Sequence, residues 1–424
     1  MKHIYNISLF ALLAMVFVGC ENGESFGDNG GNSVDVEIPV GDYITFATDV
    51  QTRADLVTTD YIEQSFGVIS YMYDATNSWG SYKVNAVPAV GALGVNSYLT
   101  KVEYDNGSYT YGTPVVWQPM KYAFFAYTPY NHSAVEPSDK DEKGVPYVTY
   151  TLDTGNARNH ADVITGYAAN CSAAFSKNVT FKMNHRLAAV DVAAVNYYDY
   201  AYESGKDDGN NPIYTTEKVT IEIQSMTAKF TNLQYGKAQI SIDKSVPTVR
   251  TALEGTTATY PIVDGGYELK PSASSEFDYI SENDQNKTTM LFIPQEYNPS
   301  ELLTVEIVVE YKKRRPDGTY LWTVVETVDE VGENGETITR EYKVDVPSGT
   351  DTSSIDPNPD AKGEITVLGK EGNIFTTTQR ASFDQELKEE NRYYALLTFT
   401  SHAVSINILT AAAWDEKPVD YEFD

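Results

Sequence analysis

With 424 residues, of which 60 are acidic and 31 basic, the chain carries a formal net charge of −29 at pH 7. This negative charge repels nucleic-acid phosphates and anionic lipid surfaces, which argues against both as partners. The length predicts roughly one to three domains. A hydrophobic fraction of 42% is sufficient to fill their cores.

The first 19 residues are predicted to be a lipoprotein signal peptide. Lys2 supplies a positive start, and the apolar stretch from 7 to 18 is shorter than a transmembrane helix requires. It ends in "FVGC", which resembles a bacterial lipobox. Cys20 is therefore the predicted lipidation site, where acyl chains such as palmitate would anchor the mature protein. The alternative is an ordinary signal peptide followed by an incidental cysteine.

Residues 20–36 are predicted to be a flexible tether, because Gly, Asn, Ser and acidic residues dominate them. The following segment, 37–203, is predicted to form an N-terminal β-sandwich domain. Its stretch "KNVTFKMNH" alternates Val179, Phe181 and Met183 with polar residues, as expected for a strand with one buried face. The "NG" pair at 106–107 predicts a hairpin turn.

A polar, Gly-rich segment at 204–213 is predicted to be the linker to a second β-sandwich domain, which spans 214–424. In that second domain "EKVTIEIQS" and "LLTVEIVVEY" alternate apolar with polar residues, and so do Val404, Ile406 and Ile408. The turn signals "PDG" and "NG" predict two further hairpins, at 316–318 and 334–335. A short helix is expected at 384–390.

No catalytic residue, metal ligand or cofactor-binding residue is predicted, so the chain is interpreted as a non-enzymatic binding or building module. The sequence lacks an HExxH pair, a GxSxG elbow and a glycine-rich phosphate loop. Structural roles are expected for four histidines, since none has a partner that suggests catalysis: His132, His160, His185 and His402.

Five stretches, in this order along the chain, resemble the fimbrillin family of Bacteroidetes and its Mfa-like relatives, the lipoprotein-derived pilins of type V pili. They are "ITFATDVQTRADL", "VVWQPMKYAFFAYTPY", "ADVITGYAANCSAAFSKNVTFKMNHRLAAVDV", "TMLFIPQ" and "ELKEENRYYALLTFT". The resemblance implies two tandem β-sandwich domains of transthyretin-like topology. It also implies a surface-exposed subunit, exported by the lipoprotein and signal peptidase machinery to the outer membrane. That subunit polymerises with other pilin subunits by strand donation and supports adhesion and biofilm formation.

The family further implies that an arginine-specific protease removes the anchor together with a leading strand. Arg53 is the first basic residue after Cys20, which predicts a cut between Arg53 and Ala54. The cut would take Ile44 and Phe46 away and leave a sheet edge that accepts another strand. The alternative is that Arg53 is a solvated loop residue and the anchor stays in place.

The tail 414–424 is the candidate donor strand, because its apolar residues alternate. The residues predicted to fill pockets of a neighbouring subunit are Trp414, Val419, Tyr421 and Phe423. The alternatives are a last strand within its own domain or a frayed tail. The tail also discriminates between a shaft subunit and a tip subunit, since a tip subunit needs a groove but no donor strand.

A second hypothesis is a monomeric, surface-anchored lipoprotein that binds glycan or host protein. Aromatic faces stack on sugars and supply interface hot spots. This hypothesis requires exposed indole rings at Trp117, Trp322 and Trp414. A third hypothesis, a secreted hydrolase, has no motif in its favour.

Overall fold

The computed structural model describes most of the chain from residue 43 to residue 411. The described ranges are 43–50, 65–76, 87–88, 99–105, 108–112, 114–138, 146–174, 178–245, 247–272, 277–282, 288–331, 334, 336–360 and 363–411. These ranges consist mainly of strands and contain three short 3-10 helices, which confirms the all-β prediction.

Thirteen strands precede residue 219. They are β1 (Thr45–Val50), β2 (Ser65–Tyr73), β3 (Val87–Pro88), β4 (Leu99–Asp105), β5 (Ser108–Thr110), β6 (Lys121–Thr128), β7 (Val135–Pro137), β8 (Tyr147–Thr151), β9 (Ile164–Cys171), β10 (Asn178–His185), β11 (Ala188–Tyr197), β12 (Asp199–Lys206) and β13 (Pro212–Lys218).

Thirteen more strands follow, and the 3-10 helices are Ala157–Asn159, Ile280–Glu282 and Thr352–Ser354. The strands are β14 (Thr220–Thr231), β15 (Tyr235–Ser241), β16 (Val249–Ala252), β17 (Thr257–Leu269), β18 (Asp278–Tyr279), β19 (Met290–Phe292), β20 (Thr304–Arg314), β21 (Leu321–Val331), β22 (Thr337–Pro347), β23 (Glu364–Leu368), β24 (Phe375–Ser382), β25 (Arg392–Thr400) and β26 (Val404–Ala411).

The N-terminal sheet has the order β1-β10-β9-β6-β2-β4-β5, with β3 paired to β2. Both of its faces are covered. Along β6, Tyr122 and Phe124 face one apolar cluster while Phe125 and Tyr127 face another. We call the first the groove cluster. Its buried members are Ile44, Phe46, Phe66, Val68, Val102, Tyr111, Trp117, Tyr122, Phe124, Ala126, Ile164, Ala168, Cys171, Ala173, Val179, Phe181 and Met183.

The second cluster, the main core, joins the N-terminal sheet to the sheets that follow it. These have the orders β18-β11-β25-β26, β17-β14-β20-β24 and β16-β15-β8-β7. The period-two predictions are confirmed here, since Ile221, Ile223, Val305, Ile307 and Val309 are all buried. Alternation places one face of each strand on the core and the other towards solvent.

Residues 204–213, predicted to be an interdomain linker, lie in the hairpin of β12 and β13. Strand β11, before this hairpin, pairs with β18, β19 and β25, all of which follow it in the chain. Strand β8 likewise pairs with β15 across the hairpin. The division into domains 37–203 and 214–424 therefore stays a proposal, and the main core runs through both.

A three-stranded sheet, β22-β21-β23, enlarges the second half of the chain. Buried Lys313 of β20 anchors it: Nζ lies 3.0 Å from Asp345 Oδ1 of β22 and donates to Thr323 Oγ1 of β21 at 2.6 Å. The Nζ also lies 4.2 Å from the centroid of the Phe375 ring. Burial lowers the pKa of Lys313, while the Asp345 carboxylate opposes that effect.

The strands on either side of the predicted turns pair as expected, but the predicted helix is wrong. Antiparallel ladders join β4 to β5 and β21 to β22, and a bridge from Arg314 to Tyr320 flanks "PDG". The "NG" at 106–107 and Gly335 lie outside the described residues. The segment 384–390 is not helical. Leu387 is buried and exchanges backbone hydrogen bonds with Gln295, each 3.0 Å long. This non-local pairing outweighs the local helix propensity of the charged residues around it.

Candidate functional site

The candidate functional site is the place that β1 occupies in the N-terminal sheet. Strand β1 lies at the edge of the sheet and pairs in parallel with β10, from Thr45 opposite Asn178 to Val50 opposite Met183. Among the described residues β1 has a pairing ladder on one side only, so it is an edge strand of this sheet.

Two side chains of this segment point inward and are deeply buried, Ile44 with 1% and Phe46 with 5% of its surface exposed. The Phe46 ring centroid lies 5.3 Å from that of Tyr111, 5.5 Å from Phe124 and 5.8 Å from Phe181. Aromatic pairs at these distances contribute stabilising free energy beyond that of the apolar area they bury. The segment thus fills an apolar slot in the sheet.

On its other side the leading segment meets residues 109–116 through only a few contacts. The Ile44 N–H donates to Val115 O at 2.8 Å, and the Tyr111 hydroxyl donates to Ile44 O at 2.7 Å. Tyr43 forms an isolated bridge with Val116. The segment therefore closes the gap between β10 and the stretch after β5. We call this gap the β1 groove and define it by Tyr111, Val115, Trp117, Phe124 and Phe181.

Trp117 lies at one end of the groove with 1% of its surface exposed. The glycan-binding hypothesis requires an exposed indole at this position, and that requirement is not met. The reason is tertiary: the Trp117 ring packs edge-on against Tyr122, 5.3 Å between centroids, inside the groove cluster. Trp322 is only partly buried, and its Nε1 donates to Asn373 Oδ1 at 2.9 Å.

Several predicted site residues lie outside the described residues. These are Cys20, Arg53, Ala54, Trp414, Val419, Tyr421 and Phe423. Their predicted roles stay predictions. The sequence identified Ile44 and Phe46 as residues of a leading strand, but it missed Tyr111 and Tyr122 as members of the groove. Tyr122 could have been found from its alternation with Phe124 in "KYAFFAY".

His160 illustrates the structural role expected for the histidines. Its Nδ1 accepts from the Leu291 N–H at 2.9 Å, and its Nε2 lies 2.7 Å from Asp153 O. Burial lowers the pKa of His160 to about 4, while the nearby Asp153 opposes this shift. His160 is thus neutral at pH 7, and both ring nitrogens serve the backbone.

Within the described part of the chain, no group of three or more His, Cys, Asp or Glu side chains is placed to hold a metal ion. No helix in that part is both long and apolar enough to cross a membrane.

Comparison with known proteins places the chain among surface-fibre proteins. A family model described as fimbrillin-like matches residues 52–411. A fimbrial protein from Bacteroides vulgatus is 16% identical, with 88% of this chain and 100% of that chain covered and a TM-score of 0.48. The tip fimbrial protein Mfa3 from Porphyromonas gingivalis is 9% identical, with 88% and 99% covered and a TM-score of 0.29. None of the curated proteins compared with the chain matches it.

Proposed function

Because the chain belongs to the fimbrillin-like family, we propose that it is a structural subunit of a cell-surface fimbria that polymerises by strand donation. The subunit is exported as a lipoprotein and anchored in the outer membrane through Cys20. An arginine-specific protease cuts after Arg53, so that Ala54 becomes the new N-terminus. The cut releases the leading strand, and a strand of another pilin subunit takes its place. The resulting fibre supports adhesion and biofilm formation.

One observation carries this proposal: β1 is an edge strand, and its Phe46 and the preceding Ile44 are almost completely buried. An edge strand can leave without breaking the ladders between the other strands of its sheet. Deeply buried side chains on that strand mean that its departure uncovers an apolar slot. A slot next to unpaired backbone groups is what β-strand addition uses, with the backbone supplying affinity and the slots supplying specificity.

The free energies involved favour a groove refilled by another strand over a groove that stays open. Burying one large apolar side chain is worth about 1.5–3 kcal/mol, so losing Ile44 and Phe46 removes about 3–6 kcal/mol. The net stability of a domain is only about 5–15 kcal/mol. The cleaved protein therefore has a strong thermodynamic drive to bind another strand.

The tail 414–424 is the proposed donor, since Val419, Tyr421 and Phe423 alternate as an inserting strand requires. The second hypothesis, a monomeric lipoprotein that recognises glycan or host protein through exposed indoles, loses one of its three rings because Trp117 is buried. No observation on the described residues favours it over the polymer.

The first experiment follows the N-terminus and the size of the protein together. The mature chain is treated with an arginine-specific protease, sequenced from its N-terminus and run on a sizing column. We expect a product that begins at Ala54 and forms oligomers. The Arg53→Gln variant should stay intact and monomeric, while Arg380→Gln, a matched change at an exposed arginine of β24, should behave as wild type.

A product that begins at Ala54 and stays monomeric with its tail intact would contradict strand donation. Mass spectrometry of protein from the cell surface tests the anchor. A diacylated Cys20 on the uncut precursor supports it. An unacylated Cys20 joined by a disulfide to Cys171, the only other cysteine, would contradict it.

A second experiment tests the donor strand with a control on its opposite face. Replacing Val419, Tyr421 and Phe423 by Ser should abolish oligomers of the cleaved protein. Replacing Asp420, Glu422 and Asp424 by Ser changes the same strand on its other side and should leave oligomers intact. Equal behaviour of the two triple variants would rule out the tail as donor.

A further inference from the structure

Lys313 and Asp345 form an ion pair in the interior, between β20 and the three-stranded sheet. The Lys313 side chain is 5% exposed and the Asp345 side chain 10%, and Nζ lies 3.0 Å from Oδ1. The other lysine–carboxylate pairs among the described residues lie at the surface, with lysine side chains 39–58% exposed. Within the described ranges, this is therefore the one place where a primary amine and a carboxylate are held in contact away from bulk water.

Aromatic rings surround this pair. The Lys313 Nζ lies 4.2 Å from the centroid of the Phe375 ring and 4.8 Å from that of Tyr198. The Tyr311 ring stacks on Phe375, with 5.5 Å between centroids. Burial lowers the pKa of Lys313, and the Asp345 carboxylate opposes that effect. Burial thus favours the neutral amine, which is the form whose lone pair can attack a carbonyl carbon.

Two hydroxyl groups connect the amine to the carboxylate, one at each carboxylate oxygen. The Tyr198 hydroxyl accepts from Nζ at 2.6 Å and donates to Asp345 Oδ2. The Thr323 hydroxyl accepts from Nζ at 2.6 Å and donates to Oδ1, also at 2.6 Å. Burial and the nearby Asp345 raise the pKa of Tyr198, so the phenol keeps its proton at neutral pH. Each hydroxyl can therefore take a proton from the nitrogen while it gives its own to an oxygen.

We propose that Lys313 and Asp345 condense to form an intramolecular amide bond that joins β20 covalently to β22. The bond between Nζ and Cγ forms with the nitrogen lone pair, and the bond between Cγ and Oδ2 breaks. The Lys313 ammonium gives up two protons, and Oδ2 takes both of them and leaves as water. The reaction needs no oxidant, reductant or further reactant, since an ammonium and a carboxylate contain the atoms of one amide and one water molecule.

The side chains around the pair have distinct roles in this reaction. Tyr198 relays protons from Nζ to Oδ2, the oxygen that leaves. Thr323 donates to Oδ1, where negative charge develops in the tetrahedral intermediate, as the donors of an oxyanion hole do. The fold holds amine and carboxylate in contact, which makes the condensation a unimolecular step. The rings of Phe375 and Tyr311 exclude water, which disfavours hydrolysis of the amide.

The link has a mechanical consequence for the subunit. It closes a covalent loop that contains β21 and most of β22, because both lie between residues 313 and 345. A force applied to the two ends of the chain is then carried by the Lys313–Asp345 bond, and residues 314–344 cannot be extended. The link is independent of strand donation at β1, so either can fail while the other holds.

The main test is the mass of the denatured wild-type polypeptide, expressed from residue 21 so that it carries no lipid. We expect a mass lower than the sequence mass by one water molecule. A tryptic digest should contain a branched peptide in which 313–314 is joined to 344–362. A full sequence mass, with these two peptides recovered separately, would overturn the proposal. This result does not depend on the folding of any variant.

Two substitutions distinguish the link from other losses of water. Lys313→Arg keeps a positive charge but removes the amine, and it should have its full sequence mass. Lys218→Arg changes an exposed lysine whose Nζ lies 2.8 Å from Asp199, and it should still be lighter by one water molecule. Dehydration at an Asp-Gly pair, such as Asp317-Gly318, would lower the mass of both variants. A loss of water that persists in Lys313→Arg would therefore overturn the assignment to Lys313.

Tyr198→Phe tests the proton relay with both reacting groups in place. Linkage is followed as the loss of water in a time course after synthesis. General acid–base assistance is worth about 100-fold or more, so Tyr198→Phe should link about 100-fold more slowly than wild type. Tyr202→Phe, which removes a hydroxyl bonded to Glu217 in the hairpin of β12 and β13, should link at the wild-type rate. Equal rates in Tyr198→Phe and wild type would overturn the role of Tyr198 as the relay.

Discussion

Two pairs of strands in the described ranges run parallel, and they differ in length and in surroundings. Strands β11 and β25 pair over nine residues, from Ala189 opposite Arg392 to Tyr197 opposite Thr400, and are flanked by β18, β19 and β26. Strands β1 and β10 pair over six residues at the edge of a sheet. The first pair is interior to its sheet, whereas in the described part of the chain β1 has a ladder partner on one side only.

The side chains behind the two pairs differ as well. The interior pair is tied by a buried ion pair, with Arg392 Nε 2.6 Å from Asp191 Oδ2, and the Ser281 and Thr289 hydroxyls donate to Asp191 Oδ1 at 2.7 and 2.6 Å. Strand β1 is held mainly by apolar side chains in slots. The buried Asp191 network is stabilised only by side chains that can form the same ion pair and hydrogen bonds. An apolar slot, in contrast, can be filled by any apolar side chain of suitable size. This contrast supports the proposal that the leading segment is the part of the molecule that another strand replaces.

The largest expected effect comes from breaking the interior ion pair. Asp191→Ala leaves the Arg392 guanidinium buried without its counter-charge, which typically costs about 3–5 kcal/mol. We expect a lower urea midpoint or loss of folded protein, measured by circular dichroism. Arg340→Ala, which removes an exposed ion pair to Glu330, should change little. If Asp191→Ala lowers the urea midpoint only slightly, the ion pair does not make the interior strand pair more firmly held than β1.

Matched aromatic truncations compare the two regions directly. Phe399→Ala in β25 should cost about 3–5 kcal/mol of global stability, as expected for a buried phenylalanine. Phe46→Ala should cost about 3 kcal/mol at most, because β1 can detach before the rest unfolds. Hydrogen exchange should show faster opening confined to residues 44–50. Global unfolding of Phe46→Ala as severe as that of Phe399→Ala would show that β1 is integral to the core.

Acidification should weaken the main core through His160. The unfolded chain binds a proton at this residue below about pH 6.5, whereas the folded chain resists protonation down to a pKa of about 4. Stability is therefore full above pH 6.5 and falls as pH drops towards 4, by about 2.5 kcal/mol at pH 4.5.

Urea midpoints at pH 7 and 4.5 measure this loss. His160→Gln removes the titration, and the difference between its pH dependence and that of the wild type isolates the histidine from the carboxylates. An identical pH dependence in both proteins would contradict the burial of a neutral imidazole. Between pH 7 and 4.5, amide hydrogen exchange should speed up more in β19 than in β1, because His160 accepts a hydrogen bond from the Leu291 N–H of β19.

The smallest effect is expected from one hydrogen bond of the groove. Tyr111→Phe removes the bond to Ile44 O and should cost about 1 kcal/mol. The change should appear as faster proteolysis at Arg53, since β1 opens more often. Tyr150→Phe loses a comparable bond to Leu291 O and should leave that cleavage rate unchanged. Equal cleavage rates in wild type and Tyr111→Phe would show that opening of β1 does not limit access to Arg53.

Local patterns predicted much of this architecture. Alternation identified the strands around Phe181, Ile223 and Ile307, and the "NG" pairs marked the places where β4 pairs with β5 and β21 with β22. The same reasoning failed at Leu387, where pairing with Gln295 replaced an expected helix. The pattern also left the place of Trp117 open, because nothing in "VVWQPM" indicates that the ring will pack against Tyr122 in the groove cluster.

What the sequence by itself determined is the all-β character, the buried face of most strands and the identity of Ile44 and Phe46 as the inward residues of the leading segment. Tertiary structure alone decided that β1 pairs in parallel with β10 and that it ends a sheet. The physical reason is that side-chain periodicity records which face of a strand is apolar. The neighbours that complete a sheet edge come from distant parts of the chain, and no local pattern encodes them.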